Sequence, residues 1–167
     1  TIWLSLVTVL MVVYVGFGDK IRHKPSRMQW PEQVLTVQAQ TTWQSLSSCT
    51  LDSVSGDRWL GALVAMNSGF PSQMISGPAS HSPWMNVQRL QENGTLVMWQ
   101  EGEEAIVLPL LDDVDAIATT EVENSHNNAN PLIKQQGQWQ IDWRDGKIEK
   151  PLLINWLAYV PSRCFQD

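Results

Sequence analysis

The chain has 167 residues, of which 43% are hydrophobic and 17% charged, and carries a formal net charge of −6. That size fits one domain plus a short apolar segment. The acidic balance and the absence of an arginine-rich stripe exclude a nucleic-acid footprint, and Cys49 and Cys164, neither in a CxxC pair, exclude the common zinc and redox motifs.

Residues 1–18 contain no charge, and as a helix they span ~27 Å, just short of a ~30 Å hydrocarbon core. Lys20, Arg22, His23, Lys24 and Arg27 follow at once, a grouping suited to lipid headgroups. Three origins fit this segment. A cleavable signal peptide would use Gly16 or Gly18 near its cut, but no basic residue precedes the run. A signal anchor, with its positive charge after the span, would place the remainder in the cytoplasm. In the third, Thr1 is exposed by removal of a basic leader, and the remaining charges no longer report orientation. Trp3 is expected within lipid and Trp30 near the headgroups.

Pro31 suits the first position of a helix and Glu32 its positive dipole end. Over residues 32–48, Leu35, Ala39, Trp43 and Leu46 recur at helical spacing, although Val34, Val37 and the Thr41-Thr42 pair also favour strand. Residues 55–84 are rich in glycine and proline and read as loop, with one short apolar element at Trp59–Met66. Asn93-Gly94 between two β-competent runs predicts a type I′ hairpin joining Val87–Glu92 to Thr95–Gln100. Glu101-Gly102 would add a third strand, Glu103–Leu108, and Pro109 with Asp112, Asp113 and Asp115 would end that meander. Residues 123–131 read as a polar loop. Trp139, Ile141 and Trp143 alternate with polar residues, giving a strand with one apolar face, and Asp145-Gly146 turns towards Lys147–Glu149. The apolar run Leu152–Val160 is expected to cover the core.

The chemistry-bearing residues are scattered. His23, His81 and His126 lack metal-ligand or catalytic spacing and read as exposed loop residues. The Asp112, Asp113, Asp115 group lacks the central glycine and final glutamate of a calcium loop, so solvated carboxylates explain it better. Ser5 has no base beside it and bonds within its own helix. Asn93-Gly94-Thr95 matches a glycosylation sequon, which the hairpin accounts for more simply. No catalytic residue, metal or cofactor is expected. Outside the cytoplasm, Cys49 and Cys164 would close one long loop by a disulfide; otherwise they are two buried thiols. Trp43, Trp139 and Trp156 are expected in the core, and Trp59, Trp84, Trp99 and Trp143 at candidate subunit contacts.

The run from Thr1 to Val12, with Leu4, Leu6, Val7, Val9 and Leu10 in phase, resembles the mature N-terminus of type IV pilins and type II secretion pseudopilins. Gly16, Gly18 and Pro25 fall where such helices bend. The later segments Val87–Glu92, Asn93–Met98, Leu110–Val114, Gly137–Trp143 and Pro151–Val160 resemble, in order, those of J-type minor pseudopilins and related minor pilins. Ser5 stands where that family carries glutamate. The resemblance implies an α+β fold: an N-terminal apolar transmembrane helix, then a globular head with a helix packed on an antiparallel sheet. It divides the chain into an assembly helix (1–24), a second helical segment (25–50) and an antiparallel head (51–167). It further implies a processed, methylated Thr1, assembly contacts at Thr1, Ser5, Leu6 and Val9, and other pilin or pseudopilin subunits as partners. Inner-membrane lipid would hold the chain before assembly, with the head in the periplasm. A departure at Ser5 points to a minor subunit, with the filament tip the position it suits. The rival expectation is a membrane-tethered periplasmic accessory protein.

Overall fold

The computed structural model describes residues 2–21, 29–69, 73–75, 82–84, 86–103, 131–144 and 150–166. In chain order the elements are α1 (Ile2–Ile21), α2 (Glu32–Leu46), β1 (Ser53–Gly56), α3 (Arg58–Asn67), β2 (Gln73–Met74), α4 (Val87–Asn93), β3 (Thr95–Gln100), β4 (Leu132–Ile141) and β5 (Leu152–Pro161), followed by a 3-10 turn at Ser162–Cys164. The fold is α+β. Its sheet has five strands in the order β2-β1-β3-β5-β4 and is mixed rather than purely antiparallel, because β1 runs parallel to both β2 and β3. Ser55 and Gly56, the second half of β1, fall in the stretch that reads as loop, because serines and a glycine carry no apolar alternation. Every residue of β1 is nevertheless buried, as in a strand covered on both faces.

Helix α2 forms as its periodicity predicts. Leu35, Ala39 and Trp43 are buried along one face, while Val34 and Val37 point outward at 55% and 60% exposure. Pro31 precedes the helix, and its carbonyl accepts the first bond, from Leu35 N at 2.8 Å. Helix α3 is started by Asp57, whose Oδ1 accepts from Leu60 N at 2.8 Å. Both helices cover the sheet face formed by Leu96, Met98, Ile154, Ala158, Trp139 and Ile141, and this is the main core. Trp30 belongs to it. At 7% exposure it is a core residue and not the headgroup anchor expected from its place after the basic cluster, because Trp59 and Trp143 enclose it edge-on. Trp139 and Ile141 alternate with exposed Gln138 and Gln140 as predicted; Trp143 lies beyond the strand and is half-buried.

The Asn93-Gly94 expectation is corrected. Val87–Asn93 is a helix, opened by Asn86 Oδ1 accepting from Arg89 N at 2.8 Å, and Gly94 caps it with φ +75°. A glycine just past a helix end needs the same positive φ as a hairpin turn, so the dipeptide alone does not separate the two. Leu90 of α4, with Ile75, packs on Val97 and Tyr159 of the opposite sheet face to make a second, smaller core. The proposed third meander strand (all but Glu103), the Asp112–Asp115 group, the polar loop at 123–131 (all but its last residue), the Asp145-Gly146 turn and its return lie outside the described residues. Strand β3 pairs antiparallel with β5, and β5 with β4, so the C-terminal strand joins the two halves of the sheet.

Candidate functional site

Helix α1 is continuous through Gly16 and Gly18 to Ile21. Its apolar side chains are exposed all round: Trp3 76%, Leu4 74%, Leu6 51%, Val9 61%, Val12 65% and Val15 80%. The described side chains of α1 run only from residue 3 to 16, ~21 Å of helix. Among the described residues no helix is long and apolar enough to cross a membrane. Of the four expected assembly residues, Leu6 and Val9 project into solvent, and Ser5 lies with Leu4, Thr8 and Val9 along one shallow groove. Thr8 Oγ1 donates to Leu4 O at 2.8 Å, so its polar group is spent within the helix and adds no unsatisfied donor to the surface. Thr1 lies outside the described residues.

Cys49 and Cys164 are joined in a disulfide with Cα atoms 5.4 Å apart, closing a sequence separation of 115 residues. Neighbouring backbone keeps the two ends together. Ser48 N donates to Cys164 O at 2.7 Å, Gln166 N donates to Leu46 O at 3.0 Å, and Ser47 bridges Phe165. Trp43, whose Nε1 donates to Cys49 O at 2.8 Å, roofs this junction from α2.

The four tryptophans expected at contacts separate in the structure. Trp59 and Trp143 pack against the main core, and Trp143 Nε1 donates to Lys150 O at 3.0 Å. Trp99 is half-buried on the smaller core, and only Trp84 is largely exposed, at 52%. Trp156, expected inside, lies over Gly137 and stacks on Trp139 at 6.0 Å. Trp30, Pro31, Val34 and Trp143 line an open groove of about 250 Å³, crossed by the Arg144–Glu32 ion pair at 3.3 Å. Arg144 is exposed and Glu32 partly so, and an ion pair in such contact with solvent contributes little to stability. A stronger pair binds α4 to the chain before β1: Arg89 donates to Asp52 through Nε at 2.9 Å and Nη2 at 2.8 Å. Those hydrogen bonds hold the Arg89 pKa above its ordinary value.

Among the described residues no group of three or more His, Cys, Asp or Glu is placed to hold a metal ion. His23, His81 and His126 lie outside the described residues. No known protein family, curated protein or solved structure matches the chain.

Proposed function

We propose that this chain is a minor pilin- or pseudopilin-like structural subunit, a non-enzymatic part of a type IV pilus-like or type II secretion filament, suited to its tip. The observation that carries this reading is α1: residues 2–18 of it carry no charge, and its described apolar side chains, from residue 3 to 16, are uncovered on every side. A helix apolar all round is stable only when other apolar matter surrounds it, either lipid or the stems of sister subunits. Its ~27 Å charge-free run falls slightly short of a bilayer core, which costs little in lipid and nothing in a bundle of like helices. The disulfide supports a head in the periplasm or outside the cell, since such bonds persist in oxidising compartments.

The work of such a subunit is mechanical: α1 packs, and the head makes contacts. Val9→Asp tests it. A carboxylate at the centre of a buried helix costs about 2.5–3.5 kcal/mol. The variant should therefore keep its disulfide-closed head yet be missing from sheared filaments, and normal incorporation would sink the proposal. Ser5 favours a second reading, a membrane-tethered accessory protein, because it replaces the glutamate that the family resemblance implies. On that reading the wild-type chain stays wholly in the membrane fraction when filaments are sheared away.

A further inference from the structure

The second sheet face is covered over only half its length by the described elements. At one end Leu90 and Ile75 close over Val97 and Tyr159. At the other, the register sets Trp99, Asn155 and Gln138 side by side on β3, β5 and β4. Strand spacing puts the outer two roughly 10 Å apart. Gln136 and Gln140 flank Gln138 on the same face, and all three glutamines are exposed. Gln138 Nε2 donates to Asn155 Oδ1 at 3.0 Å, which fixes both carboxamide planes beside the half-buried indole. Among the described residues, charges stand at the ends of this patch: Lys134, over the Tyr159 ring, exposed Asp142, just past β4, and exposed Glu101, just past β3.

We infer that this face is a binding platform for a neutral, polyhydroxylated ligand, a short uncharged oligosaccharide. An indole face carries negative electrostatic potential and accepts the polarised C–H face of a sugar ring. Carboxamides present donor and acceptor together, matching a hydroxyl, which is also both. Ordinary solvated strands near a sheet edge carry lysine or glutamate, which protect against pairing and keep a surface soluble. Of the four exposed positions of β4, Gln136, Gln138 and Gln140 take three without a charge, and Lys134 takes the fourth at the end over Tyr159. With a net charge of −6 on the chain, acidic polysaccharides and nucleic acids are repelled, and a neutral ligand fits the uncharged row. The inference does not depend on how α1 is covered.

The test uses the full chain in detergent micelles, with N-acetylchitotriose, cellotriose and maltotriose as probes, read by saturation-transfer NMR and indole fluorescence. At least one probe should bind saturably. Trp99→Ala and Gln138→Lys should each weaken it about tenfold, and Trp84→Ala should leave it unchanged. Gln138 is exposed, so its variant keeps the fold even if Trp99→Ala does not. No binding by any probe overturns the inference, as does binding that survives Gln138→Lys or is lost with Trp84→Ala. A concentration-dependent dimer that Gln138→Lys abolishes, with no sugar bound, would assign the row to a second copy of the chain instead.

Discussion

Removing the Cys49–Cys164 bond by Cys49→Ala/Cys164→Ala gives a stability loss that can be worked from the chain itself. With 115 residues of separation, the loop-closure relation gives ~5 kcal/mol at 25 °C. The folded side changes little, because the Ser48–Cys164 and Gln166–Leu46 backbone bonds still hold the C-terminal turn against the end of α2. The penalty therefore falls on the unfolded chain, which regains a large loop. We expect a loss of about 3–5 kcal/mol, or roughly 10–15 °C in Tm for a chain of this size. The assay is thermal and guanidinium unfolding in mild detergent, followed by circular dichroism, for the wild type, both single variants and the double variant. Each single variant already lacks the bond and should match the double variant. A loss below about 1 kcal/mol would refute the loop-closure argument. A Cys164→Ala variant much weaker than Cys49→Ala would instead assign the effect to packing of the buried Cys164 sulfur.

Gly94→Ala should cost more than ~2 kcal/mol, measured by the same unfolding, because φ +75° disfavours a Cβ and that Cβ would collide with the Tyr159 carbonyl and the Trp43 ring. Asn86→Ala removes the cap of α4 and should cost about 1 kcal/mol, with amide exchange rising first in α4. Arg89→Met leaves the partly buried Asp52 without its partner and should cost about 1 kcal/mol, less at high salt. Because Asp52 raises the Arg89 pKa, the contribution of that titration is complete below the arginine's ordinary value and is lost only as pH rises through the higher folded one. Titrating the wild type from neutral to moderately alkaline pH should therefore show no loss from Arg89 ionisation.

Where apolar period was strong, the sequence was legible. The Leu35, Ala39, Trp43 stripe and the Trp139, Ile141 alternation both appear in the structure as predicted, since a long periodic run leaves one solution for its buried face. Short elements were not. Ser53–Gly56 is buried by its neighbours rather than by its own side chains, and nothing local marks it as the strand between β2 and β3. Val87–Asn93 was misread because glycine in left-handed conformation serves helix ends and hairpins alike. The distinguishing signal was Asn86, a good capping residue placed before the helix whose Leu90 is its buried contact. The row beside Trp99 is composed from three strands, and register between strands is invisible to a reading along the chain.

Strand β5 is the last of the described strands, yet it sits between β3 and β4. During synthesis, β1, β2 and β3 can pair early, whereas β4 has no neighbour among the described strands until Leu152–Pro161 emerges. Among the described strands, the amide groups along β4 have no sheet partner until then. Completion of the sheet is thus a late, all-at-once event at the C-terminal side, and a chain stalled before that point carries a sticky, half-built edge.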